Sequence, residues 1–298
     1  MAMHAGQLAI TAEQVRGLVA DQFPAWGDLP VRAVASAGTV NALFRLGDGL
    51  VARFPLVPGD VDAVRRQLAS EAAAAAELHG RITAPTPVPV AHGEPGDGYP
   101  LPWSVQTWLP GRDGFTDDPG ESVPFAHDLA RLMKELRAID TAGRTFSAGG
   151  RGGELTNHDA WVESCLRSSG DLFDVPELLR RWAAWRELPR SGPDVMSHCD
   201  LTPGNVLVRD GRLVGVLDVG GFGPADPALD LVGAWHLLAV GPRAVFRDEL
   251  GCGELEWERG RAWAFEQAIG AGWYYQRTNP AMSRMARRTI ARLLAAEA

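Results

Sequence analysis

Lysine is almost missing from this chain: Lys134 is the only one among 29 basic residues. The N-terminal third therefore offers no ammonium group to any chemistry built there. A basic excess is missing too, since 29 Lys+Arg stand against 37 Asp+Glu for a net charge of -8. That balance excludes a broad nucleic-acid footprint. Only three cysteines occur, Cys165, Cys199 and Cys252. An odd, sparse set without paired spacing excludes a disulfide framework and points to a reducing compartment. The cysteines and histidines also lack zinc-ligand spacing. Long apolar runs are absent: the most apolar window, Leu229–Val240, is broken by Asp230 and His236 and falls short of the roughly 20 residues a span needs. Met1–Thr11 shows no basic segment followed by an apolar stretch, so a secretory leader is not expected. The expectation is a cytoplasmic protein that engages neither membrane nor nucleic acid. What remains is ordinary globular material: 298 residues, 46% hydrophobic and 22% charged, room for one large domain or two modest ones.

Periodicity divides the chain. Thr11–Phe23 reads as a short amphipathic helix with Val15, Leu18 and Val19 on one face. Strand-like runs follow at 31–35, 42–46 and 50–54, the last two joined across Gly47-Asp48-Gly49, a hairpin signal. Positions 62–79 read as a helix containing the run Ala72–Ala76, which allows close packing. Nine Pro and Gly residues between Ala84 and Pro102 suggest turns around an edge strand, and Trp103–Leu109 is extended until Pro110-Gly111 stops it. Beyond that boundary helices are expected at 124–139, 157–166, 176–185, 228–238, 257–275 and 280–296. One strand island, 206–208 and 213–217, is joined across an Asp210-Gly211 turn.

The chemistry concentrates around that island. His198-Cys199-Asp200-Leu201-Thr202-Pro203-Gly204-Asn205 is followed by the hairpin and then by Asp218-Val219-Gly220. Phosphoryl transfer requires an acceptor oxygen held in line with a terminal phosphate, together with divalent cations on the phosphate oxygens. Asp200 suits the base that orients a substrate hydroxyl. Asn205 and Asp218 are oxygen ligands suited to Mg²⁺. The Asp-to-Asn spacing matches the H-R-D-x-x-x-x-N pattern of kinase catalytic loops, and Asp218 stands where the D-F-G aspartate would. A thiol-nucleophile reading of Cys199 is disfavoured, because adjacent residues seldom place nucleophile and base in mutual hydrogen-bond reach. His198 reads as structural, Asp226 as a turn or cap acceptor, and Asp230 as buried support for the loop.

These motifs, with Gly38–Leu46, Val51–Pro55, Trp108–Gly111, Asp226–Leu231 and Thr278-Asn279-Pro280, resemble the aminoglycoside phosphotransferases over nearly the whole chain. The resemblance implies an α+β, protein-kinase-like two-lobed fold: a small mixed N-lobe with an antiparallel sheet over 1–107, a hinge at 108–111 and a larger, mainly helical C-lobe over 112–298. It implies transfer of the terminal phosphate of ATP or GTP to a hydroxyl of a small molecule, an aminoglycoside-type antibiotic in the first instance. Macrolide, sugar, amino alcohol and native-metabolite acceptors stay open as alternatives, as does a nucleotide-binding pseudokinase. It also implies that Arg53 takes the phosphate-contacting place of the missing lysine, where a guanidinium can clamp phosphate oxygens, with Glu71 pairing to orient it. The loop Ser36–Asn41, including Gly38, would lie over the phosphates, and Thr107 and Leu109 would offer backbone groups to the base. Two positions depart from the pattern: Cys199 stands where the family usually has Gly, and Val219 where it has an aromatic. Acidic residues of the C-terminal helices, Glu266 among them, are candidates to meet a cationic acceptor.

Overall fold

A computed structural model of the chain describes residues 6–34, 38, 40–147 and 149–295. The fold is α+β. The chain divides into two compact units, one made of 1–79, 85–110 and 218–220, the other of 80–84, 111–217 and 221–298.

The first unit is built on a five-stranded antiparallel sheet. Its strands are β1 (Val31–Val34), β2 (Asn41–Leu46), β3 (Leu50–Pro55), β4 (Pro89–Gly93) and β5 (Trp103–Thr107), in the order β1-β2-β3-β5-β4. The proline-led β4 lies at an edge, where its missing N–H costs no ladder bond. Helix α1 (Ala12–Gln22) starts with a reciprocal capping box between Thr11 and Gln14. Its Val15, Leu18 and Val19 bury against Phe44, Phe54, Tyr99 and Trp103, and the Phe54 ring stacks on Trp103 at 4.8 Å. Helix α2 (Val61–Leu78) is capped by Asp60, whose side chain accepts from the Ala63 N–H.

The second unit is mainly helical: α3 (Val123–Arg137), α4 (Asp159–Arg167), α5 (Val175–Trp185), α6 (Val232–Leu237), α7 (Val240–Leu250), α8 (Glu254–Tyr274) and α9 (Pro280–Ala295). Short strands β6 (Arg112–Asp113), β8 (Val206–Arg209) and β9 (Arg212–Val216) form one small sheet. Strands β7 (Val195–Ser197) and β10 (Gly223–Ala225) form another. The β8–β9 hairpin turns through Asp210 and Gly211, both at positive φ (51° and 68°), as its sequence demands. Asp128 of α3 is buried and accepts from Arg131, Arg212 and the Leu213 N–H, fixing the hairpin to the helix. Burial alone would raise its pKa, but the Arg212 hydrogen bond and its neighbours outweigh that and hold it below the ordinary carboxylate value.

Three short strands of the second unit, β6, β7 and β10, had no counterpart in the sequence reading, and two of its helical segments differ from it. A helix forms at Val240–Leu250, where none was expected, because Pro242 falls in its first turn and needs no N–H bond there. The helix expected over 228–238 begins instead as a tight turn, Leu229–Leu231, before α6. The Asp226 carboxylate accepts from the Ala228 N–H and starts that turn.

Helix α8 runs through the core with Trp263, Phe265 and Ile269 fully buried. Its Arg259 is wholly buried and pairs with Asp226, also wholly buried, which in addition accepts from the Trp263 indole at 3.1 Å. Removing one partner strands the other charge in the interior. Asp226→Asn is therefore expected to cost about 3 kcal/mol or more, read as a lower urea midpoint. An unchanged midpoint would show that the pair braces nothing.

Candidate active site

In the first unit Arg53 lies in the middle of β3, opposite Ser104 of β5. Strand alternation and its neighbours aim its guanidinium along the sheet face, where it donates to the Gln106 amide oxygen at 3.3 Å and to the Asp218 carboxylate at 2.7 Å. Here the structure corrects an expectation: the carboxylate partner of Arg53 is Asp218, not Glu71. Glu71 accepts instead from Gln67, one turn earlier on α2, at 2.8 Å. Both side chains nevertheless line one small cleft, about 20 Å³, with Leu68, Ala72, Ala75 and Val219. Gly220 is required there, since a Cβ at that position would stand 2.8 Å from the Glu71 side chain. Asp218 itself adopts φ 54°, a left-handed conformation that Asp tolerates better than most residues.

Of the other residues expected around a nucleotide, Ser36 lies outside the described residues. Gly38 is described and is not without a partner. Asn41 opens β2, in register with Pro55. The Thr107 N–H donates to the Val88 carbonyl, and its hydroxyl accepts from the Val88 N–H, so both serve the sheet. Leu109 lies two residues past the end of β5.

In the second unit the loop 198–205 is fixed from beneath. The buried carboxylate of Asp230 accepts from the His198 N–H at 2.7 Å and the Cys199 N–H at 2.9 Å. Burial pushes its pKa up, against the pull of His198 and these two N–H bonds. The His198 ring donates from Nε2 to the Leu217 carbonyl, which leaves Nδ1 to accept from the Asp200 N–H. Both ring nitrogens are thus engaged in holding the loop. Asn205 turns its amide back and donates to the Asp200 carbonyl and to Asp200 Oδ2, each at 2.8 Å. The Asn205 side-chain oxygen accepts no hydrogen bond among the described residues, and it is a hard donor of the kind Mg²⁺ takes. Asp200 is 40% exposed, so its carboxylate is open to an incoming hydroxyl.

Two further partners of Asp200 had no signal in the sequence. Gln267 of α8 donates to Oδ1 at 2.6 Å, and Arg151 approaches the same oxygen at 3.4 Å. Arg151 belongs to a glycine-rich stretch without periodicity, and Gln267 to a long helix that is apolar on most faces. Only the tertiary fold brings them to the loop. Glu266, expected as an acidic residue of the acceptor surface, is 3% exposed. One of its oxygens meets His158 at 2.8 Å. The other accepts no hydrogen bond and lies 3.8 Å from Arg151.

Cys199 adopts φ 73°. This is the position where the sequence pattern has Gly, and the backbone shows why: a side chain there is strained. Burial, with Asp230 and Asp200 nearby, pushes the thiol well above its ordinary pKa, so it is no thiolate nucleophile. Cys199→Gly is expected to raise stability by about 1 kcal/mol through relief of that strain. A lower unfolding midpoint in the variant would show instead that the thiol's packing outweighs the strain.

Comparison with known proteins identifies the family and the fold. The model of a phosphotransferase enzyme family covers residues 32–263. An aminoglycoside 3'-phosphotransferase of Escherichia coli is 28% identical over 145 residues, covering 46% of this chain and 52% of its own length, and one of Salmonella typhimurium matches equally. The chain thus spans about half the length of the curated relatives it matches. Among solved structures, a GDP complex of aminoglycoside 2'-phosphotransferase-IIIa superposes with TM-score 0.70 at 18% identity, over 96% of this chain and 99% of that one. A macrolide 2'-phosphotransferase from Brachybacterium faecium gives 0.63 at 22% identity, over 96% and 99%. These two share the fold. With most of its length, residues 32–263, matched by the family model, the chain belongs to the phosphotransferase enzyme family.

Proposed function

We propose that this protein transfers the terminal phosphate of a nucleoside triphosphate, ATP or GTP, to a hydroxyl of a small molecule of the aminoglycoside type. The observation that carries the reading is the Asp200 carboxylate, open to solvent and held at Oδ2 by Asn205 within a loop braced by Asp230. The aminoglycoside phosphotransferases among its relatives support the acceptor class.

In this reading the unit spanning 1–107 binds the nucleotide, with residues 108–111 as hinge, and 112–298 carry the base and the acceptor site. Arg53 clamps phosphate oxygens through its guanidinium. Gly38 and Asn41 contribute from their loop and strand, Glu71 from the cleft wall, and Thr107 and Leu109 from the backbone beside the base. Asn205 and Asp218 are each a hard oxygen donor of the kind Mg²⁺ takes. The cation, when bound with the nucleotide, neutralises charge on the phosphates. Asp200 accepts a hydrogen bond from the acceptor hydroxyl, aligns its oxygen for attack and receives the proton as the O–P bond forms. Glu266, whose Oε2 faces Arg151 at 3.8 Å and accepts no hydrogen bond, is the acidic group offered to a donor on the acceptor.

The test is nucleoside diphosphate release from Mg-ATP and Mg-GTP against aminoglycosides, macrolides, sugars and amino alcohols. Acceptor-dependent release is expected with an aminoglycoside, and nucleotide binding without turnover across the whole panel would sink the reading. Asp200→Asn should lower kcat by on the order of 10²–10⁴-fold with little change in nucleotide KM. Arg53→Ala should instead act chiefly on nucleotide KM. Chelation of Mg²⁺ should abolish release, and turnover that persists in excess chelator would remove the cation from the scheme.

A further inference from the structure

Behind Asp200 lies a chain of polar side chains, half-buried at Gln267 and buried at His236 and Thr289, that the proposed reaction does not itself require. Gln267 of α8 donates from Nε2 to Asp200 Oδ1 at 2.6 Å. Its amide oxygen faces His236 Nε2 of α6 at 3.0 Å, and His236 Nδ1 faces the Thr289 hydroxyl of α9 at 2.8 Å. His236 and Thr289 are both wholly buried.

Donor and acceptor chemistry allows this chain one consistent polarity. A carboxylate only accepts, so the NH2 of Gln267 must point at Asp200 and its carbonyl at His236. His236 must then carry its proton on Nε2, leaving Nδ1 to accept from the Thr289 hydroxyl. The ring is neutral: burial above all, opposed by the Gln267 bond and helped by the nearby Arg151, Arg292 and Arg288, lowers its pKa to about 4. Arg288 and Arg292 also donate to the main-chain carbonyl of His236 and hold its end of α6 in place. Each group has its partner, and the direction of every bond is set by the next; the Thr289 hydroxyl also lies 3.7 Å from Met285 Sδ, a far weaker acceptor than the ring nitrogen. A satisfied network with a buried end is rigid, because breaking one bond leaves an unpaired polar group in the interior.

We propose that Gln267 is a positioning residue for Asp200, locked in its amide orientation by the His236–Thr289 pair. With Oδ2 held by Asn205 and Oδ1 by Gln267, the carboxylate cannot rotate, and its remaining lone pairs keep one direction toward an incoming hydroxyl. This inference rests on the reading of Asp200 as the base. The device joins three helices to one carboxylate oxygen, so small shifts of α6 or α9 reach the reacting group.

Two measurements test it on the full-length chain. In ¹⁵N-labelled protein the Gln267 side-chain amide should show one proton shifted strongly downfield, moving in Asp200→Ala and in Thr289→Val but keeping its place in Thr289→Ser. A Gln267 resonance indifferent to both Asp200→Ala and Thr289→Val overturns the proposal, and this arm needs no acceptor. In turnover with Mg-GTP and kanamycin, Gln267→Leu should lower kcat on the order of 10-fold to 100-fold with nucleotide KM within about twofold. Thr289→Val should follow it in the same direction, and Thr289→Ser should restore most of the loss. A merely structural role would lower the unfolding midpoint of Gln267→Leu while leaving kcat of the folded enzyme intact, and that overturns the proposal. The two layers separate cleanly. Full turnover in Asp200→Asn means the base assignment itself is wrong. An inactive Asp200→Asn beside a fully active Gln267→Leu means only the positioning role is wrong.

Discussion

The arrangement depends on one buried carboxylate. Asp230 takes the main-chain N–H groups of His198 and Cys199, and so sets the path of the loop that carries Asp200. Ionising a fully enclosed carboxylate is costly, and its pKa rises accordingly. Two aligned N–H donors offset part of that cost, and in return the loop has one geometry. The left-handed backbone at Cys199 follows from the same constraint, since the chain must turn sharply for both amides to reach one carboxyl group. His198 completes the hold by joining the Asp200 amide to the Leu217 carbonyl.

Arginine supplies nearly all the side-chain cations of this chain. With no lysine before position 134, the side-chain cation in the middle of β3 is Arg53. Its planar fork reaches Gln106 and Asp218 at once, where an ammonium would have made a compact point contact. Arginine also supplies the wholly buried partner of Asp226 and the groups that bind the carbonyl end of α6. The second unit is rich in such directed contacts, which explains how polar side chains come to stand in its core without loss of order.

Much was legible from short-range pattern. Gly47-Asp48-Gly49 and Asp210-Gly211 turn hairpins because their backbone conformations are available to few other residues. The five-residue interval from Asp200 to Asn205 lets the Asn205 amide fold back on Asp200, a local event that spacing alone can announce. Pairings between distant segments were less legible. Glu71 was expected to meet Arg53, yet it turns to Gln67 along its own helix, while Asp218, 165 positions away in sequence, takes the arginine. Glu266 read as a surface acid because charge carries no record of burial, and α7 was missed because Gly241-Pro242 masks a helix start.

The sequence by itself determined the family resemblance, most of the order of strands and helices, and the five-residue interval of the 198–205 loop. All of these follow from propensity, turn stereochemistry and spacing over a few residues. Tertiary structure alone decided which side chains share a hydrogen bond across the core: Asp230 beneath the loop, Asp226 with Arg259, and Gln267 with His236 and Thr289 behind Asp200. The reason is physical. A buried polar group must find a partner wherever the packed helices place one, and that place is fixed by the whole core rather than by any neighbour in the chain.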